Sequence, residues 1–447
     1  MLYDFKGDYD VIVCGGGTAG TIASIAASRS GAKTLLVERG PLLGGISVMG
    51  FYPHTFYTNT GKKAIGGIAQ ELIDELIELG GSLGHLRYEG GHLYTHTPVD
   101  NEMLKVLFVK KATEAGVDIM FNSLITDVIK DKNDLKAIVV KTKGKTQFLS
   151  GKVFIDSTGD GDVAYMAGAP FNKGRENDGK MQPVSLTMRC TNVDKNKLVK
   201  EVPSDKPILW AKTPFGINTP VYFAGRLGEW DETEEAKKLF TDKNHQIFCL
   251  SMWSSDVIVN TSRLVGVDGT NYDEINSASI ESRLQVLEIF KFLKKYVPGF
   301  ENSNLVSDSF LGVRETRRFI GDYEITEEDI LKGNKFEDNI ALGAYPIDMH
   351  DPEGGNVTFI PIGGDGAVGI PYRSLLTQDL DNLYVAGRCL SASHVALASV
   401  RSIATCMAMG HGIGLAASMI AKNNQTTREI DIKELQEELL KQNAILY

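Results

Sequence analysis

Residues 10–38 narrow the possible folds more than any other part of the chain. Asp10-Val-Ile-Val-Cys14 has the unbroken apolarity of a strand buried on both faces. It runs into Gly15-Gly-Gly17-Thr18-Ala19-Gly20, then into the small-residue helix Thr21–Ser30, which Gly31 ends. Lys33–Glu38 is a second strand, and it closes on a carboxylate. Strand, glycine turn, helix, strand and acid make a complete βαβ unit for binding a dinucleotide. Gly15 permits the tight turn, Gly17 lets backbone approach a diphosphate, and Gly20 lets helix and strand pack closely. The free N–H groups at the helix start favour the diphosphate charge. Glu38 stands where it accepts hydrogen bonds from ribose hydroxyls, and its charge repels a 2′-phosphate.

The pattern occurs once. Gly364-Asp-Gly366-Ala-Val-Gly369 has the same glycine spacing, but Pro371 follows it and no helix or second strand comes after, so it reads as a loop. Amphipathic helices are expected at 67–79 and 101–115, with strands at 117–121, 124–129, 135–141 and 152–156. From about residue 167 short strand-like runs alternate with polar loops, and a long helix covers 276–296, which reads as a mixed sheet capped by helix. The strand Asn382–Gly387 and a small-residue helix from about 400 to 421 then resume the first pattern. The expected architecture is therefore α/β: a doubly wound parallel-sheet domain formed by 1–166 and 366–447, with a mixed α+β domain, 167–365, inserted in it.

A formal charge of −10 argues against a nucleic-acid or anionic-membrane surface as the main partner. Five scattered cysteines form no metal or dithiol motif and read as reduced thiols of a cytoplasmic protein. His92-x-x-x-His96 lacks the adjacent acid of a zinc helix, so no metal site is expected. The acidic first ten residues predict no signal peptide. Residues 402–421 are apolar, but the flanking Arg401, the internal His411 and several glycines predict a closely packed buried helix rather than a membrane span.

Taken together, the βαβ unit with Glu38, the Gly44-Gly45 turn, Ile155–Asp162, Gly312–Arg318 and Leu383–Ser391 leading to Cys406–Gly410 resemble the FAD-dependent oxidoreductases with the glutathione-reductase-type FAD fold. The resemblance spans residues 9 to about 421 and is specific for FAD, not for a substrate. It implies that Gly15, Gly17, Thr18, Ala19 and Gly20 hold the diphosphate, with Glu38 and Arg39 at the adenosine ribose and the Gly44-Gly45 turn beside them. Ile125 would meet the adenine edge, Thr158, Gly159 and Asp160 would pass close to the cofactor, and Gly387 and Arg388 would contact diphosphate or ribitol. Many relatives carry an acid where this chain has Arg388, which suits a diphosphate but not a hydroxyl.

On the substrate side, His394 lies between the last strand and the following helix, where it would relay a proton beside the flavin or merely order the turn. Arg314, with Arg317 and Arg318, would dock an anionic substrate or pair with neighbouring acids such as Glu315. Arg401 stands at the start of the small-residue helix, whose N-terminus would stabilise negative charge on the flavin; Arg401 would add to this or merely pair with a carboxylate. His54 and Tyr57 would line the pocket. The activity implied is hydride transfer between a small molecule and flavin N5, with an external electron donor or acceptor: oxygen, a quinone, another protein or a visiting pyridine nucleotide. A flavoprotein electron-transfer subunit and a non-redox use of FAD are the alternatives.

Overall fold

The computed structural model describes residues 5–91, 93–204, 206–240, 246–354 and 357–447. Strand β1 (Phe5–Cys14), helix α1 (Thr18–Arg29) and strand β2 (Thr34–Val37) form the expected βαβ unit. β1 pairs in parallel with β2 and with the strand Lys145–Asp156. Asp118–Met120 adds in parallel beyond β2, and Leu383–Val385 adds in parallel to residues 154–156. Counted along the chain, these five strands lie in the order third, second, first, fourth, fifth, the doubly wound order of a dinucleotide fold. Asp134–Thr142 and Leu124–Asp131 extend the sheet antiparallel along residues 145–150.

Burial explains the parallel sheet. Val11, Ile12, Val13 and Cys14 are fully buried, as are Leu36 and, to within 1%, Leu35 and Val37, because helices cover the faces. The helix Ile403–Asn423 lies against α1 at a distance only glycine allows. A Cβ on Gly410 would sit 2.3 Å from the Ala19 carbonyl oxygen, and one on Gly414 would sit 2.2 Å from that of Ala23. This helix is long and apolar enough to cross a membrane, yet 83% of its most apolar window is buried inside the protein. It begins three residues later than expected, because the short helix His394–Val400 precedes it and Ser402 takes an extended conformation between the two.

Residues 188–308 build a six-stranded sheet in which every described pair is antiparallel. The helix Tyr272–Tyr296 covers it, with Val286, Ile289, Phe292 and Leu293 packed on Met188, Cys190, Phe223 and Val257. Asn271 accepts the N–H groups of Asp273 and Glu274, which starts that helix four residues before the expected Asn276. The stretch 325–371 joins the other core instead: Ile325, Ile330, Ile340, Leu342, Ile347 and Ile370 pack with α1 and the helix Ile403–Asn423. It carries the pair Asn339–Gly343 with Val368–Pro371 and the hairpin Ile347–His350 with Val357–Ile360. The second glycine-spaced motif starts as a turn at 364–366 and runs into the strand Val368–Pro371, so its last two residues, Val368 and Gly369, are strand rather than loop.

Candidate functional site

The carboxyl ends of the parallel strands converge on one cavity of about 1070 Å³. Gly15 follows β1, Glu38 follows β2, Ser157 follows Lys145–Asp156 and Ala386 follows Leu383–Val385, and all four line it. This rim is where doubly wound sheets bind ligands.

Two of the three motif glycines are required by the protein's own packing. Gly15 has φ +97°, and a Cβ there would meet the Ser157 carbonyl oxygen at 2.5 Å. A Cβ on Gly20 would meet the Gly15 carbonyl oxygen at 2.0 Å. Gly17 differs: an added Cβ would touch nothing nearer than the Ser157 carbonyl oxygen at 3.8 Å. The space beside it is left open by the protein. No side chain caps α1 there, and the buried Ser157 hydroxyl has no hydrogen-bond partner among the described residues. An open cradle, uncapped N–H groups and an orphaned hydroxyl fit a diphosphate-linked dinucleotide.

Of the residues expected at the cofactor, Gly15, Gly17, Thr18, Ala19, Glu38, Arg39, Gly45, Ile125, Thr158, Gly159, Asp160, Gly387 and Arg388 line the cavity. Gly20 and Gly44 stand behind the wall, where Gly44 donates to the Gly16 carbonyl and accepts from the Thr18 hydroxyl at 2.9 Å. One Glu38 oxygen accepts the Gly16 N–H at 2.7 Å and the other accepts the Gly40 N–H at 2.6 Å. Each oxygen keeps a lone pair for a further donor. Arg388 pairs with Asp160, a carboxylate from the loop after Asp156.

The substrate-side residues separate. Arg314 and Arg401 line the cavity. Arg317 pairs with Asp162 at 3.0 Å, and Arg318 pairs with the fully buried Glu315. His394 is absent from the cavity wall. Its Nδ1 lies 2.8 Å from Glu315, and Ser393 caps its helix. His54 lines the cavity with its ring 6.5 Å from that of Tyr345, and Tyr57 does not. His92 lies outside the described residues. No group of three or more His, Cys, Asp or Glu side chains able to hold a metal occurs among the described residues.

Three residues not singled out from the sequence share this wall: Tyr345, Asp348 and His350. Asp348 and His350 are two apart on the strand Ile347–His350 and so face the same side. Alternation in a four-residue strand, without a motif around it, was the only sequence signal. The Tyr345 hydroxyl donates to Asp348 Oδ2 at 3.0 Å, and His350 Nε2 lies 3.4 Å from Asp348 Oδ1. Burial and then Arg314 pull His350 down to about 4, against Asp348, so it is neutral at pH 7. Burial opposes the Asp348 charge, but His350, Arg401 and Arg314 outweigh it and hold the carboxyl below its ordinary range. Burial and then Arg401 lower Arg314 to about 9, which leaves it charged at neutral pH. His350 Nδ1 is buried with no hydrogen-bond partner among the described residues, an arrangement that suits a ligand.

A family model described as FAD dependent oxidoreductase matches residues 10–439. Digeranylgeranylglycerophospholipid reductase 2 of Methanothermobacter thermautotrophicus is 28% identical over 168 residues, covering 36% of this chain and 42% of that protein. The fumarate reductase (cytochrome) of Shewanella frigidimarina is 25% identical over 220 residues, covering 41% of this chain and 37% of that protein. The match thus spans less than half the length of these curated relatives. Among solved structures, a geranylgeranyl bacteriochlorophyll reductase-like protein from Thermoplasma acidophilum superposes with a TM-score of 0.45 at 12% identity, covering 98% of this chain and 84% of that one.

Proposed function

The chain belongs to the FAD-dependent oxidoreductase family with FAD as its cofactor, and from that premise we propose that it oxidises or reduces a small organic molecule inside the shared cavity. One observation carries the reading: a single cavity joins the glycine cradle to the wall of Arg314, His350 and Arg401. Bound FAD supplies a centre at its N5 that accepts or gives hydride. The N–H groups at the start of α1 would hold the diphosphate, and the free lone pairs of Glu38 would take the adenosine ribose. Arg39 and Ile125 would hold the adenosine, and Thr158–Asp160 and Gly387–Arg388 of the same cavity would contact the rest of the cofactor. The helix Ile403–Asn423 presents an N-terminus without a side-chain cap beside Arg401, which favours negative charge at the flavin's edge. The antiparallel sheet of residues 188–308 caps the cavity, and the electrons pass to or from a partner outside the chain.

The proton that accompanies hydride transfer is handled at His350 Nδ1, with Asp348 orienting the ring from the other nitrogen. His394 serves the fold by satisfying the buried Glu315. The test is an anaerobic screen of metabolite classes for a change in the visible flavin band. With a substrate in hand, His350→Asn should keep FAD bound and slow flavin reduction by about 10²-fold or more. His394→Ala should leave that rate nearly unchanged and lower stability by about 1–3 kcal/mol, since it strips a partner from a buried carboxylate. A wild-type rate in His350→Asn would sink the assignment, and a substrate that turns over without bleaching the flavin would sink the redox reading.

A further inference from the structure

Part of the cavity wall carries two guanidinium groups beside a single carboxylate. Arg314 and Arg401 both line the cavity with Asp348. Arg314 donates to the Pro183 carbonyl at 2.6 Å and Arg401 to the Gln182 side-chain oxygen at 3.2 Å, both neutral acceptors. Among the described residues neither Arg314 nor Arg401 has a carboxylate within ion-pair distance. Arg401 Nε and Gln182 Nε2 are buried donors with no hydrogen-bond partner among the described residues. The other carboxylates in the wall are already engaged: Glu38 with backbone N–H groups, Asp160 with Arg388 and Asp162 with Arg317.

Two guanidinium groups enclosed beside a single carboxylate leave one positive charge unmatched, which is costly to the fold because its desolvation is not offset. Such an arrangement persists where a ligand brings the missing charge. A guanidinium fork presents paired N–H donors that match a planar two-oxygen anion. The same wall already holds one such group, Asp348, so its geometry accommodates a carboxylate. We propose that the substrate of this site is a small carboxylic acid whose carboxylate docks on Arg314 and Arg401, which sets its reacting carbon toward His350. This deepens the functional reading above and rests on it. Arg317 and Arg318 take no part, since both are spent on Asp162 and Glu315.

The test uses the FAD-loaded protein and reads both the visible flavin band and the melting temperature at constant ionic strength. The probes are acetate, succinate and benzoate, each against its amide, with inorganic phosphate as the competing oxyanion. At least one carboxylate should bind saturably, and its amide and phosphate should bind about tenfold or more weakly. Arg314→Gln and Arg401→Gln should each weaken that carboxylate by about tenfold to a hundredfold, the range for hydrogen bonds to a charged group, with FAD content unchanged. Equal binding of amide or phosphate, carboxylate affinity unchanged in the arginine variants, or no saturable carboxylate in the panel would overturn the proposal. If Arg314→Gln fails to fold, Arg401→Gln and the acid–amide comparison in the wild type decide it. A wild-type protein that holds no FAD would overturn the functional reading itself, whereas FAD-loaded protein indifferent to carboxylates overturns only this inference.

Discussion

Asp156 ends its strand fully buried, where it accepts the Thr158 and Ala164 N–H groups and the Thr158 hydroxyl. Burial raises its pKa to about 6, against the pull of those donors. A carboxyl whose folded pKa lies above its unfolded value stabilises the fold most below the unfolded value, about 4, and loses that contribution as the pH rises through about 6. The stability of the wild type relative to Asp156→Asn should therefore fall by on the order of 2–3 kcal/mol between about pH 4 and pH 7. Urea unfolding of both proteins across that range measures it, and a difference flat in pH would contradict the burial argument. Single residues were legible in the sequence where their role is local. Gly15, Gly20 and Glu38 act within one βαβ unit, so spacing finds them. Arg314, Arg317 and Arg318 share one segment, but only burial and the positions of Asp162 and Glu315 decide which of them faces the cavity. The same limit applies to His394, whose partner Glu315 lies 79 residues away in the chain.

Elements were read well where one period dominates. The helix Tyr272–Tyr296 and the strands beside β1 have clear apolar patterns; a cap at Asn271 moves the helix start four residues, and the strand expected at 152–156 begins earlier, at Lys145, where it pairs with Asp134–Thr142. The hairpin Ile347–His350 with Val357–Ile360 escaped notice because its strands are four residues long and one face opens to a cavity, where polar residues are admissible. The small-residue helix Ile403–Asn423 has a different logic, since its glycines are contacts rather than breaks. Gly414→Val places a Cβ 2.2 Å from the Ala23 carbonyl oxygen, and should cost about 1–3 kcal/mol by overpacking, more if α1 cannot shift. Chemical denaturation reads this, and wild-type stability in that variant would mean the two helices separate freely.

At the scale of the molecule, cofactor and fold stabilise one another. A ligand bound only by the folded state adds about 2.7 kcal/mol at a free concentration of a hundred times its Kd, so titrating FAD into apoprotein should raise the melting temperature progressively. Gly17→Val should abolish that rise while changing apoprotein stability by no more than about 1 kcal/mol. The protein's own atoms leave room for an added Cβ, and the helix start has no side-chain cap to lose. An FAD-dependent rise that survives in this variant would contradict the placement of the diphosphate.

The order in which the strands join the parallel sheet also bears on synthesis. A chain emerging amino end first completes the turn at Gly15–Gly20 early, but the facing wall waits for Leu383–Val385, which pairs with residues 154–156. More than two hundred residues separate those partners, so the ring of contacts around the nucleotide closes late. Flavin uptake thus reports that the chain has been made and folded at least through Val385, and colour in a cell extract counts molecules that have passed that point rather than shorter nascent ones.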